Sequence, residues 1–417
     1  MKRTSISLLL ASVIIFSNFI GVKAAENPMP KIDGKAGITM DIDTGEIIYQ
    51  NNIDNRYYPA STTKLMTALI FAENKNKTDE IKYTESAKEQ PQDSIDKNLH
   101  QMQIGDTMSA EDTMDALMLF SANDAANMMA DSVSGNEEKF VQLMNDKVSK
   151  LGLKNTHFVT ANGLHDDQHY TTPYDLSVIA REAFKNAWVQ ESMQKKTSKV
   201  SISDGTVLIL NNRNKNLGVN GAVGGKTGYT SQAGRCLVEF YNRGGRRLVG
   251  VVMKSVYDNQ DNAVFNDMEK IIDWSYEQKP VSLNKAGDTV KTETMSYKPF
   301  RFFGPQKTIN VPLVIKEDLN YYDNAVNKKE IKEDFNLSKL NLWSLSSDKP
   351  VGTMTLKERE VAKEYKLYTT VSTSSIIKAN LLLYLGAIVV LVLILFAVLM
   401  IILKLKNIRR RKSNRYY

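Results

Sequence analysis

The chain is poor in residues that carry thiol, disulfide or metal chemistry. Its 417 residues include one cysteine and four histidines. A lone Cys236 excludes an intramolecular disulfide, so the fold must be held by its core alone. Hydrophobic residues make up 42%, enough to build that core and to exclude general disorder. Cys236 lies in a strand-like run, Arg235-Cys236-Leu237-Val238-Glu239-Phe240-Tyr241, and reads as a buried structural thiol. His157, His165 and His169 fall close together, but no carboxylate or cysteine pattern completes a zinc motif around them. They read as loop hydrogen-bonding groups, and no metal or cofactor is implied. Internal repeats and low-complexity linkers are also lacking.

Acidic residues are missing from both ends. Residues 1–24 hold Lys2, Arg3 and Lys23 without an acid, and residues 404–417 hold seven basic residues without one. These ten charges exceed the net charge of +7, so the chain between them is slightly acidic. A nucleic-acid partner therefore loses its main support. Lys2-Arg3, the apolar stretch Ile6 to Ile20 and the A-x-A-like Val22-Lys23-Ala24 follow the order of a secretory signal peptide, assigned to residues 1–24. A second apolar segment, assigned to residues 379–403, runs without a charge from Leu381 to Leu403. As a helix it would be about 35 Å long, enough for a bilayer core of about 30 Å. The basic residues at 404–417 orient it with that tail in the cytoplasm. The expectation is a single-pass protein of the cell membrane whose main body lies outside the cell.

Between these labels the patterns alternate. Ile38–Ile42 and Glu46–Tyr49 flank Asp43-Thr44-Gly45 as a β-hairpin. A helical pattern starts near Ser61, and residues 108–195 are mostly helical. Strands return near 206 and continue through the run around Cys236 to Met253, before a helix over Asn262 to Glu277. Strands at both ends with helices between them predict an α+β domain over 25–278, its ends completing one antiparallel sheet. After Lys279-Pro280, alternating segments such as Thr308–Ile315 and Val351–Leu356 predict a small all-β domain over 279–372.

Three short motifs occur in order. Ser61-Thr62-Thr63-Lys64 is S-x-x-K at a helix start, Ser121-Ala122-Asn123 is S-x-N between helices, and Lys226-Thr227-Gly228 is K-T-G opening a strand. S-x-x-K and S-x-N recur elsewhere by chance, whereas K-T-G occurs once; the weight lies in order and setting. On a helix, residues three apart share a face, so Lys64 can reach the Ser61 hydroxyl. A serine hydroxyl needs an adjacent base, and lysine serves only when neutral. Its pKa must then fall through burial and a second cation, for which Lys226 is the candidate. The backbone N–H groups at the helix start would face a developing oxyanion.

This ordered set is an established signature of β-lactamases and penicillin-binding proteins. With Tyr58-Pro59-Ala60, Gly224-Gly225 and the stretch Asn162 to Thr172, the chain resembles the low-molecular-mass penicillin-binding proteins, the serine-type D-Ala-D-Ala carboxypeptidases, over about residues 30–370. The resemblance implies roles. Ser61 is the acylated nucleophile and Lys64 the acylation base. Ser121 and Asn123 relay a proton and hold the substrate amide. Lys226 and Thr227 bind the terminal carboxylate, Gly228 completes the motif, and the N–H groups of Ser61 and Tyr229 form the oxyanion hole. It further implies peptidoglycan stem peptides as substrates, β-lactam antibiotics as covalent inhibitors and no cofactor. Ala122 stands where the family often has Gly, and Tyr229 where many relatives have His. A spanning helix replaces the amphipathic anchor usual in the group.

Other readings stay open on the residues alone. Glu182-Ala183-Phe184-Lys185-Asn186 fits the letters of a β-lactamase deacylation motif, but within an amphipathic helical run. Transpeptidase or endopeptidase activity would use the same acyl-enzyme. A β-lactam sensor or scaffold would keep the fold without turnover. Asp175, in Pro173-Tyr174-Asp175-Leu176, is a further candidate in a first helical turn near the site.

Overall fold

The computed structural model describes residues 28–338 and 340–413, so the signal-peptide assignment lies outside the described residues. Strands β1 (Ala36–Asp41) and β2 (Ile47–Asn51) form the expected antiparallel hairpin. A 3₁₀ turn, Ala60–Thr63, leads into α1 (Lys64–Asn74), which is buried from Lys64 to Phe71. Two short strands, β3 (Glu80–Lys82) and β4 (Thr107–Ser109), pair around the small helices α2 (Glu85–Lys88) and α3 (Ile95–Asn98).

The helical layer follows: α4 (Ala110–Asp115), a π turn over Ala116–Phe120, α5 (Asn123–Ser134), α6 (Glu137–Lys150), α7 (Pro173–Lys185) and α8 (Ala187–Gln194). Ser109, Asn136, Thr172 and Asn186 start α4, α6, α7 and α8 by accepting backbone N–H groups of the first turn. The hairpin β5 (Thr197–Ser201) and β6 (Val207–Asn211) comes next, then β7 (Ala222–Thr230), β8 (Gly234–Arg243), β9 (Arg246–Ser255) and α9 (Ala263–Glu277).

The central sheet has the order β2-β1-β9-β8-β7 and is antiparallel throughout. First and last strands of the domain thus complete one sheet, as the sequence predicts. Its two faces are both covered. Val238, Phe240, Val249 and Val251 pack with α1 and α7, while Leu237, Tyr241, Leu248 and Val252 pack with α9. Burial on both faces explains why β8 and β9 read as largely apolar runs instead of alternating, with Glu239 of β8 the buried exception.

Two boundaries differ from expectation. Strand structure resumes at Thr197 and not near 206, because only Val200 of β5 is buried and its sequence carries little apolar signal. Lys226 is interior to β7, which begins at Ala222; Gly224-Gly225 weaken the strand signal before it.

Beyond residue 280 the strands are β10 (Val281–Asn284), β11 (Thr289–Tyr297), β12 (Lys307–Val314), β13 (Leu319–Tyr321), β14 (Lys332–Leu337), β15 (Gly352–Glu358) and β16 (Val361–Thr369), the larger sheet ordered β11-β12-β16-β15-β14. Its own core gathers Val311, Leu313, Met354, Leu356 and Leu367. The unit is not purely β: α10 (Ala325–Glu330), capped by Asn324, interrupts it. That corner meets the first unit, where the Asn324 and Asn327 amides donate to the Ile47 carbonyl. Arg359, at the β15–β16 turn, pairs with both Asp54 and Glu330 and lies 4.3 Å over the Tyr174 ring. Finally α11 (Thr373–Ala379) breaks at Asn380, and α12 (Leu381–Ser413) is long and apolar enough to cross a membrane.

Candidate active site

The 3₁₀ turn at Ala60–Thr63 presents Ser61 at the mouth of a cleft of ≈ 490 Å³. Ala60 before it holds a φ of +49°, a left-handed conformation rare for a residue with a Cβ. His169 braces the turn from behind. Its Nδ1 accepts the N–H groups of Val159 and Thr160, so the proton sits on Nε2, which donates to Thr63 Oγ1 at 2.9 Å. Burial pushes the His169 pKa down to about 4 and keeps it in this neutral tautomer. His157 Nδ1 donates to the Gln168 carbonyl, and His165 lies edge-on to Tyr58.

One helical turn after Ser61, the Lys64 side chain is fully buried. Its Nζ is 3.0 Å from Ser61 Oγ, 2.8 Å from Asn123 Oδ1 and 2.8 Å from the Asn162 carbonyl. Burial lowers its pKa to about 7; Asp93 and Asp124 oppose the shift and Arg213 adds to it. Near neutrality Lys64 is therefore available without its extra proton. Asn123 Oδ1 and the Asn162 carbonyl accept only, so they consume both hydrogens of a neutral amine. The remaining lone pair faces the Ser61 hydroxyl. Asn123 cannot flip out of this role without losing the bond from its Nδ2 to the Gln92 carbonyl.

The second motif sits on the π turn's end. Ser121 takes a φ of +70° there, the completely buried Ala122 follows, and Asn123 opens α5. This reversal aims Ser121 Oγ at Lys226 Nζ, 2.8 Å away, which also donates to the Thr227 carbonyl. Burial, then repulsion from Lys64, holds the Lys226 pKa well below its ordinary value. The two lysines are neighbours, but the expectation that Lys226 is the cation lowering the Lys64 pKa is not met: burial does most of the work, and the cation that adds to it at Lys64 is Arg213. Arg213 is a cation the sequence reading missed; it pairs with Asp93 at 2.8 Å on the cleft wall.

Strand β7 closes the cleft edge with Thr227, Gly228 and Tyr229. A Cβ on Gly228 would come within 3.0–3.1 Å of Ser61 N, Pro59 O and Thr62 N, so only glycine lets the strand lie this close to the nucleophile turn. Tyr229 is 45% exposed and packs on Tyr257 with ring centroids 4.8 Å apart. Arg235, paired with Asp261, borders both rings.

The structure therefore brings Ser61, Lys64, Ser121, Asn123, Lys226, Thr227, Gly228 and Tyr229 into one place. It leaves others outside. Glu182 pairs with Lys185 on α7 while Asn186 caps α8, so that pattern does not reach the cleft. Asp175 lies in the first turn of α7 but accepts from Asn155 N and Thr156 Oγ1, tying down a loop. Cys236 is buried, and burial pushes its thiol up to about 11. Among the described residues no group of three or more His, Cys, Asp or Glu could hold a metal. Arg213, Asp93, Arg235 and Tyr257 were not anticipated: they are lone loop or strand residues without a repeating mark. Asn162 was visible only as part of the family-like stretch at 162–172.

A helix-borne serine, a buried lysine of lowered pKa and a glycine-bearing strand beside them define a serine acyl-transfer enzyme of the penicillin-binding kind. Residues 22–256 match the family model for D-alanyl-D-alanine carboxypeptidases, and the chain belongs to that family. It is 30% identical over 338 residues to the D-alanyl-D-alanine carboxypeptidase DacF of Bacillus subtilis, covering 78% of this chain and 82% of the relative. It is 31% identical over 316 residues to DacD of Escherichia coli, covering 71% and 78%. Among solved structures, the D-alanyl-D-alanine carboxypeptidase of Mycobacterium tuberculosis superposes with a TM-score of 0.57 at 27% identity, over 62% of this chain and 96% of the other. The Streptomyces K15 DD-transpeptidase does so at 0.54 and 29%, over 60% and 100%. The α+β fold and the assignment as a serine-type carboxypeptidase, a hydrolase, are borne out.

Proposed function

We propose that Ser61 removes the terminal D-Ala from peptidoglycan stem peptides through an acyl-enzyme. Ser61 Oγ attacks the penultimate D-Ala carbonyl carbon as its proton passes to Lys64 Nζ. The N–H groups of Ser61 and Tyr229 receive the oxyanion. Lys226 and Thr227 hold the substrate carboxylate, and Ser121 Oγ relays the proton now on Lys64 to the leaving amine as the C–N bond breaks, which returns Lys64 to its neutral form. Water, giving a proton to the again-neutral Lys64, then attacks the ester carbonyl, and that proton passes to Ser61 Oγ as the acyl–oxygen bond breaks. β-Lactams acylate the same oxygen and stay bound.

What carries this reading is the Lys64 lone pair, left facing Ser61 Oγ by two acceptors that use up its hydrogens. In the assignment by residues, 25–278 form the catalytic domain, 279–372 a stalk, and α12 crosses the membrane with its basic end in the cytoplasm, placing the cleft outside the cell. The test is D-Ala release from a peptide ending in D-Ala-D-Ala, together with labelling by a fluorescent penicillin. Natural protein should do both and Ser61→Ala neither. Labelling that survives Ser61→Ala would refute the assignment, and rapid penicillin hydrolysis would favour a β-lactamase.

A further inference from the structure

The link between β11 and β12 reads Lys298-Pro299-Phe300-Arg301-Phe302-Phe303-Gly304-Pro305-Gln306 and leaves two large apolar side chains in water. Phe302 is 77% exposed and Phe303 65%. The turn is nonetheless ordered by its own bonds. Arg301 N–H donates to the Lys298 carbonyl, Phe302 N–H to the Phe300 carbonyl, and Phe300 stacks on Phe303 at 4.8 Å. Positive φ at Arg301 (+68°) and Gly304 (+106°) reverses the chain so that the tip projects outward. An ordered turn that exposes adjacent phenylalanines marks a contact surface.

Its position identifies the contact. Tyr384, in the first turn of α12, donates its hydroxyl to the Pro299 carbonyl at 2.7 Å and meets the Phe300 ring edge-on at 5.4 Å. Asn380, just before α12, donates to Tyr297 Oη and accepts from Lys307 Nζ. Tyr384 lies three residues into α12, about 5 Å along the axis from its start. The turn is thus fastened at the level where the long apolar helix begins. Tyrosine and other aromatic residues favour that level of a bilayer, between headgroups and acyl chains. Lys298 and Arg301 are exposed on the same turn, and with Tyr297 and Trp343 they wall a hollow of ≈ 650 Å³. Two cations at that height match the phosphates of anionic lipid.

We propose that this turn is a second membrane contact: Phe302 and Phe303 enter the lipid interface beside the start of α12, and Lys298 and Arg301 meet lipid phosphate. The inference rests on the reading of α12 as a membrane-crossing helix. A single helix would leave the extracellular unit free to swivel, whereas a helix plus a wedge fixes its tilt.

The test uses the full chain reconstituted in vesicles of phosphatidylglycerol and phosphatidylethanolamine. Single cysteines at Phe302→Cys, Lys357→Cys and Leu391→Cys carry an environment-sensitive fluorophore; the buried, high-pKa Cys236 stays unlabelled. Lipids bearing a spin label near the headgroup or near the acyl terminus act as quenchers. The Phe302→Cys probe should lose most of its fluorescence to the shallow quencher. Lys357→Cys, at the opposite end of the β-rich unit near Arg359, should lose little. Leu391→Cys should respond to the deep quencher. Quenching at Leu391→Cys with none at Phe302→Cys above the Lys357→Cys level overturns the second contact and leaves the anchor standing. Absence of quenching at Leu391→Cys overturns the anchor and the inference together.

Discussion

Asn123 Oδ1 sits 2.8 Å from Lys64 Nζ, and the carboxamide is held in that orientation by the bond from its other end to Gln92. A neutral acceptor at this point leaves Lys64 free to lose its proton. Asn123→Asp keeps the shape but places a carboxylate against the amine. An opposite charge this close raises a lysine pKa by roughly one to three units. The acid limb of acylation should move upward by that amount, with activity at pH 7 falling about fivefold or more. An unshifted limb would mean that Asn123 does not set the charge on Lys64.

Gly228 carries a second prediction. In Gly228→Ala the new methyl meets Ser61 N, Pro59 O and Thr62 N at 3.0–3.1 Å, all backbone atoms of the nucleophile turn. The turn must give way by a few tenths of an ångström. Overpacking of this kind costs about 1–3 kcal/mol, and a displaced reacting atom can lower acylation by about 100-fold. Penicillin labelling kinetics and a melting curve on the same preparation separate the two effects; a variant with natural kinetics would contradict the close packing.

His169 makes stability depend on acid. Its folded pKa of about 4 lies below the ordinary 6.5, so the unfolded chain binds the extra proton first as pH falls. Stability from this group is complete above 6.5 and is lost as pH drops from 6.5 toward about 4, by roughly 3 kcal/mol in all. In His169→Gln the slope of melting temperature against pH across that window should flatten. An equal slope in both proteins would show that other groups dominate acid unfolding.

Arg359 fastens the two units through Asp54, Glu330 and the Tyr174 ring. Arg359→Ala strands two carboxylates and removes the stacking. A loss of about 1–3 kcal/mol in stability is expected, with easier proteolysis near residue 280. D-Ala release from a soluble peptide should be unchanged, because none of these groups lines the cleft. A large fall in that activity would show that docking shapes the active site.

How far the sequence discloses this site depends on the reach of each relationship. Ser61 and Lys64 are legible together because one helical turn joins them. Ser121-Ala122-Asn123 is legible as letters, but not as geometry. The apolar run Ala116–Phe120 reads as ordinary α-helix, and only the folded chain shows the π turn that throws Ser121 into a left-handed conformation. Lys226 was recognised by its motif, yet its place inside β7 was obscured by the glycines before it. The Asn162 carbonyl reaches Lys64 from a distant loop, and Arg213 acts on it from another only through its charge; neither periodicity nor composition marks a backbone carbonyl as a ligand. The sheet was readable from its apolar runs, whereas β5 and α10, short and largely polar, were not.

The neutral state of Lys64 is the point on which the account turns, and the rate of covalent labelling of Ser61 by benzylpenicillin across pH 5–9 tests it most directly. With Lys64 titrating at about 7, the rate should climb tenfold per pH unit on the acid side, bend near 7 and level off above. A rate that keeps climbing to pH 9, as an amine near its ordinary 10.5 would give, or one that ignores pH altogether, would contradict it.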